Sequence, residues 1–372
     1  MRIEADVRDV EKGRAGRCRP YLRSVSFTLA LVLFGGAVAG GPAVQAPPQR
    51  LQDTGLYSDV AALEIDPAHV AFSPRHQLWT DGAVKRRWIS LPAGAVIDGS
   101  DPDAWVFPVG TRLWKEFSFG GRKIETRYLE RLADGRWMYA TYAWSEDGRE
   151  AQLVSEKGRR GAFPVGGGRS HAIPSVGDCK ACHQGGRSEV LGFSAFQLDV
   201  RNPDTIRTGS RSEASIDVET LIARGLLVGF PEPAGAPPWT GEGTDVQRAA
   251  LGYLHGNCGH CHNEDGPLRN VGLFLRQSYG KMGKPSLEST VGYPVRKAAP
   301  GQSPGTALRI DPGQPDRSAL LQRVASRYPP LQMPPLGTEL VDEEAVRLLR
   351  RWIMEADPAG AVASSDRKGH QR

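Results

Sequence analysis

Apolar residues are patterned differently in successive parts of the chain. An uncharged stretch from Ser24 to Gln49 follows a basic segment ending at Arg23, and its strongly apolar part, Phe27 to Phe34, is eight residues long. A bilayer span needs about 20 such residues. Eight fit the apolar centre of an export leader, with Ala37-Val38-Ala39 as the cleavage site and Val44-Gln45-Ala46, followed by Pro47, as a second candidate. From Leu78 to about Val154 the pattern becomes strand-like. Val84 to Leu91, Trp105 to Phe119, Ile124 to Leu132 and Arg136 to Trp144 are rich in aromatic and β-branched residues, and Gly120-Gly121, Asp134-Gly135 and Asp147-Gly148 punctuate them. Short turns at regular spacing predict an antiparallel sheet, sandwich or barrel. Gly161 to Ser170, with Pro164 and three consecutive glycines, reads as a linker out of it.

Beyond that point helical periods take over. Ile216 to Arg224 predicts a short helix stopped by Gly225, and Pro231 to Gly243 is a break. Asp245 to Gly256 places Val246, Ala249, Ala250, Tyr253 and Leu254 at helical spacing, with Thr244 or Asp245 as cap. Ser318 to Arg327 predicts a short helix. Asp342 to Met354, with Ala345, Leu348, Leu349 and Trp352 on one face, is the clearest amphipathic helix. Asp357 to Arg372 reads as a disordered tail.

The chain is 372 residues long, 40% apolar and 24% charged, which excludes disorder as its main state. Its net charge of +5 suggests nucleic acid only at first sight. Residues 1–39 carry seven basic and four acidic side chains, so about +2 is left once a leader is removed. That is too little for a nucleic-acid groove, and no nucleic-acid partner is expected.

Four of the five cysteines fall in two copies of one motif, Cys179-Lys180-Ala181-Cys182-His183 and Cys258-Gly259-His260-Cys261-His262, and Cys18 leaves with the leader. Cys-x-x-Cys-His is the attachment signature of c-type haem, in which two thiols bind the porphyrin and the adjacent imidazole ligates iron. Competing readings are a four-cysteine zinc site or redox dithiols. Zinc pairs usually lie about 15–20 residues apart, whereas 75 residues separate Cys182 from Cys258. Two covalently attached haem c groups are therefore expected, with His183 and His262 on iron. Met333 lies in Tyr328-Pro-Pro-Leu-Gln-Met-Pro-Pro-Leu-Gly337, where prolines stiffen the loop. It is expected as the second axial ligand at His262.

Residues Thr244 to Asp357, with a helix leading into Cys-x-x-Cys-His, a long loop, a Met-Pro-Pro loop and a closing helix, resemble a class I cytochrome c domain. The resemblance implies a small all-α fold around haem. The mature chain also resembles a family of exported bacterial di-haem c-type cytochromes, through Leu78-Trp79-Thr80-Asp81-Gly82-Ala83-Val84-Lys85-Arg86-Arg87-Trp88, Phe107-Pro108-Val109-Gly110-Thr111, Ile124-Glu125-Thr126-Arg127, Pro174-Ser175, Gly192-Phe193 and Gln197-Leu198. Relatives joined to quinoprotein-type sugar dehydrogenase modules imply a redox relay. The expected fold class is thus α+β: a leader over 1–46, an antiparallel β-rich domain over 47–165 and a first haem-binding region over 166–235. An all-α cytochrome c domain over 236–358 and a tail over 359–372 complete it.

The second ligand of the first haem stays open among His171, Met138, Met282 and His255. His260 is expected at the surface, His69 and His76 in ordinary roles, and the tryptophans in sheet packing. Expected function is periplasmic electron transfer between an exported dehydrogenase and another cytochrome or an oxidase, with no stable membrane span after leader cleavage. The alternative is a di-haem enzyme, such as a cytochrome c peroxidase with one open haem. No hydrolytic triad or phosphate loop is visible.

Overall fold

Aromatic and β-branched residues between Val70 and Leu153 build a six-stranded antiparallel sheet. The computed structural model describes residues 45–199, 215–231, 243–279, 284–295 and 307–356, all within one compact unit that begins at Gln45. Strands β1 (Tyr57–Asp59) and β2 (Glu64–Ile65) form a small hairpin. The main sheet contains β3 (Val70–Ala71) and β4 (Val84–Ser90). After β5 (Ile97–Asp98), which lies outside it, come β6 (Arg112–Phe119), β7 (Arg122–Arg131), β8 (Trp137–Trp144) and β9 (Ala151–Leu153). The order is β3-β4-β6-β7-β8-β9. Gly120 and Gly121, at φ 55° and 82°, make the tight turn between β6 and β7, where a side chain would be strained.

This sheet is buried on both faces, so consecutive residues of its strands are buried, as in β8. One face carries Trp88, Trp114, Tyr128, Met138, Tyr142 and Trp144 beneath Leu51, Leu56 and Tyr57 from the N-terminal segment. The other carries Ile89, Leu113, Leu129 and Tyr139 beneath Phe107, Val190, Phe193 and Leu198. The alternation of the pleat separates the two sets.

Residues 161–170 are not a linker. Strands β10 (Arg159–Gly166) and β11 (Arg169–Ile173) pair as a hairpin, and Gly166, Gly167 and Gly168, all at positive φ, make its turn. Helices α1 (Val176–His183), α2 (Ala195–Leu198) and α3 (Val218–Ala223) follow, and β12 (Leu227–Val228) pairs parallel with β5. The rest comprises α4 (Asp245–Asn257), α5 (Lys284–Thr290), α6 (Ala319–Val324) and α7 (Glu343–Glu355). Thr244 caps α4 through the Gln247 amide, and Asp342 caps α7 through the Ala345 amide at 3.0 Å. Ala345, Leu348, Leu349, Trp352 and Ile353 form the apolar stripe of α7 and share a core with Ala249, Ala250, Tyr253 and Leu254 of α4.

The expected α+β class with an all-α C-terminal domain is corrected here. The described chain is β-rich, and of its seven α-helices only α4 and α7 exceed eight residues. Between them lie loops joined by isolated bridges, Val291 to Ile310 and Pro294 to Leu308. The physical reason is that only α4 and α7 carry an apolar stripe several turns long, while glycines and prolines interrupt the sequence between them. Nor does this part stand alone. Asn257 accepts from the Trp79 amide at 2.7 Å and donates to the Gln77 carbonyl, and the Trp79 indole donates to the Leu340 carbonyl at 3.0 Å. Leader residues 1–44, Cys18 among them, most of the 231–243 break, Met282 and the tail lie outside the described residues. Among the described residues no helix is long and apolar enough to cross a membrane.

Close packing of His76 on α4 requires two glycines. A Cβ on Gly252 would lie 2.0 Å from His76 Cε1, and one on Gly256 would lie 2.5 Å from the His76 carbonyl oxygen. Gly252→Ala is therefore expected to cost about 1–3 kcal/mol, the usual range for overpacking, read as a lower urea midpoint. The same substitution should be nearly neutral in a His76→Ala background; equal losses in both backgrounds would contradict the contact.

Candidate functional site

The first motif is formed by α1, which begins with a capping box. Ser175 Oγ accepts from the Asp178 amide at 3.0 Å, and the Asp178 carboxylate accepts from the Ser175 amide at 2.9 Å. This fixes where the helix starts and places Cys179, Cys182 and His183 along its final turns. Cys179 packs against the sheet core. The His183 ring lies 5.5 Å from that of Tyr139 on β8, and its Nδ1 is 2.7 Å from the Glu189 carbonyl. That carbonyl can only accept, so Nδ1 carries the proton and Nε2 the lone pair. Burial pushes the imidazole down to about 4, which keeps it neutral.

The second motif begins where α4 ends. Cys258 is the C-cap, and the chain turns back as the Cys261 and His262 amides donate to the Cys258 carbonyl at 3.1 and 2.9 Å. Burial raises the Cys258 thiol to about 12 and lowers His262 to about 4. The Nδ1 of His262 is buried with no hydrogen-bond partner among the described residues.

The two motifs touch. Asn263 Nδ2 donates to the Gly185 carbonyl at 2.7 Å and also to the carbonyls of Gly259 and His260. Gly185 approaches so closely that a Cβ there would be 2.1 Å from the His260 carbonyl oxygen. The Cys261 thiol donates to the Ala181 carbonyl at 3.8 Å, and Cys261 and His260 lie near enough to Cys182 to lower its thiol below the ordinary value. His260, expected at the surface, is half-buried beside Cys182. All four cysteines are free and half-buried. Among the described residues no three His, Cys, Asp or Glu side chains converge as a metal site, so the four-cysteine zinc alternative has no assembled donor set.

Met333 is half-buried in the loop between α6 and α7, where its amide donates to the Arg323 carbonyl at 3.0 Å. The Arg323 charge, with those of His260 and Arg309, adds to burial in lowering His262. The Met333 loop and the second motif therefore share a neighbour.

Of the residues considered as a second ligand at the first motif, Met138 lies in the core on the opposite sheet face from Tyr139. His171 is fully engaged: its Nδ1 and Nε2 face Asp81 and Glu125 carboxylate oxygens, each at 3.1 Å. His255 accepts from the Gln277 amide at Nδ1 and lies 4.3 Å from the Phe196 ring. His76, expected to be ordinary, is 2% exposed, and among the described residues neither ring nitrogen has a hydrogen-bond partner. The spacing Gly252-x-x-x-Gly256 in α4 was the sequence signal that something packs closely there. No protein-family model matches the chain, and no curated protein or solved structure matches it either.

Protonation of His171 has a definite sign. Burial opposes it, but hydrogen bonds to Asp81 and Glu125 raise the pKa above the ordinary 6.5. Burial likewise opposes ionisation of Asp81 and Glu125; His171, two backbone amides at Asp81 and Arg127 at Glu125 outweigh it and lower both. Stability from His171 is therefore complete below pH 6.5 and lost as pH rises through its raised pKa. Stability from the carboxylates is present above their ordinary values, 3.8 and 4.5, and lost as pH falls through the lowered ones. His171→Gln should cost about 3–5 kcal/mol, with the largest difference in melting temperature from wild type between pH 4.5 and 6.5. A difference independent of pH would contradict the charged triad.

Proposed function

We propose that the chain is an exported di-haem c-type cytochrome that relays electrons from a periplasmic dehydrogenase to another cytochrome or an oxidase. The observation that carries this reading is the direct packing of the two Cys-x-x-Cys-His segments through Asn263 and Gly185, which brings the two motifs side by side. Haem, when bound, supplies one-electron chemistry at iron. Four cysteines free of disulfides offer the thiols for both attachments. The carbonyl of Glu189 orients His183 so that Nε2 is the donor atom, and burial keeps His183 and His262 in the neutral form that ligates. Met333 is the proposed second ligand at His262, held in a loop whose flanking prolines limit its conformations. Cleavage of the leader after Ala39 or Ala46 would deliver the chain to the compartment where such haems are attached.

The second reading is a di-haem enzyme with one open iron. It is favoured by the engagement of both His171 nitrogens, which takes the histidine nearest the first motif in sequence out of use as a ligand.

Expression with a c-type maturation system should yield an exported chain whose mass includes two covalent haems. Two low-spin signals in the paramagnetic resonance spectrum of the oxidised protein are expected. Met333→Ala should remove the methionine-to-iron charge-transfer band and lower one reduction potential. One high-spin signal perturbed by peroxide would favour the enzyme. A chain exported without covalent haem would reject both readings.

A further inference from the structure

The sheet face that supports α1 carries a row of like charges. Arg87 on β4, Lys115 on β6 and Arg127 on β7 are directly opposite one another in register, and Thr141 on β8 ends the row. Lys85 lies on the same face two residues before Arg87. Like charges facing each other across adjacent strands destabilise a sheet, and here Arg87 is buried while Lys85, Lys115 and Arg127 are half-buried. Arg87 is only 4% exposed, and its Nη1 is buried with no hydrogen-bond partner among the described residues. Lys115 and Arg127 both lie over the Phe117 ring, at 5.0 and 4.2 Å, so their charges converge. Burial and the surrounding cations push the Lys115 amine well down and Lys85 to about 7.

Acidic neighbours do not balance the row. Glu125 is shared between Arg127, at 2.6 Å, and His171, at 3.1 Å. Asp81 accepts from His171 and from the Glu339 and Leu340 amides. No carboxylate among the described residues forms an ion pair with Arg87 or Lys115. A lysine can release its proton when buried, but a guanidinium keeps its charge. A buried guanidinium nitrogen without an acceptor is costly.

We infer that Arg87, Lys115 and Arg127 form a carboxylate-binding site beside the first Cys-x-x-Cys-His motif. The two guanidinium-bearing strands are separated by two interstrand spacings, about 10 Å, with the Lys115 amine on the strand between them. This suits a ligand with two carboxylates: a guanidinium fork such as that of Arg87 takes a carboxylate with two parallel hydrogen bonds, and Arg127, whose Nε and Nη2 already donate to Glu125, adds its charge and its remaining N–H donors. The row adjoins the motif: the charge of Arg127 reaches Cys179 and Cys182, and that of Lys115 reaches His183. The two carboxylates come either from a small dicarboxylate or from the propionates of a haem on Cys179 and Cys182. Only the second source rests on the function proposed above.

The test uses the full exported chain, its Arg87→Met and Lys115→Met variants, and Arg87→Lys as a conservative control. Succinate is the probe, with chloride at matched ionic strength as the reference. A saturable rise in melting temperature with succinate, weakened at least tenfold in Arg87→Met, identifies a free dicarboxylate as occupant. No response to succinate, together with a lowered potential of one haem in both methionine variants and less change in Arg87→Lys, identifies the propionates. The potential falls because removing a nearby cation favours the ferric state. If succinate has no effect and both potentials stay at wild-type values, the site is overturned. Should the chain carry no haem, the function proposed above fails, and the succinate measurement alone decides the site.

Discussion

An imidazolium buried between two carboxylates ties together the segments on which the candidate site depends. His171 comes from the hairpin before α1, Glu125 from the middle of the sheet, and Asp81 from the loop before β4. Asp81 reaches further, accepting from the Glu339 and Leu340 amides that follow the Met333 loop. It does so from a left-handed conformation, φ 52°, which aspartate tolerates better than most residues. Each oxygen that Asp81 offers is thereby used to join parts of the chain far apart in sequence. All three members are 1% exposed or less, so the loss of one would leave buried charge on the others.

The sheet does for packing what this triad does for polarity. With one face under the N-terminal segment and the other under α1 and its neighbours, it has no solvent face to spare. The face toward α1 is divided. Leu113, Leu129 and Tyr139 make it apolar where Phe193 and Cys179 pack, while Lys85, Arg87, Lys115 and Arg127 make it cationic further along. The first cysteine motif rests at the border of these apolar and cationic surfaces.

Much of the fold was legible because its signals are local. The turns at Gly120-Gly121 and Asp134-Gly135 lie where their residue types require. The helices at 245–257 and 343–355 begin at Thr244 and Asp342 because those side chains satisfy free amides. Gly166-Gly167-Gly168 misled because a glycine run serves a hairpin turn as well as a linker, and only pairing partners decide between them. The all-α C-terminal domain failed for a related reason: α4 and α7 have the stripe of a helical domain, but the sequence between them lacks one.

At the candidate site, residue types were readable and relations were not. Both Cys-x-x-Cys-His motifs, the capping box Ser175-x-x-Asp178 and the proline-flanked Met333 are properties of consecutive residues, and the sequence by itself determined them. That Gly185 packs on His260, that His171 is locked between Asp81 and Glu125, and that Arg87, Lys115 and Arg127 line up on one face depend on contacts across tens of residues or more. Strand register and close packing of glycines decide such contacts. A one-residue slip of any of the three strands would send its cation to the opposite face, so only the tertiary structure could show them side by side.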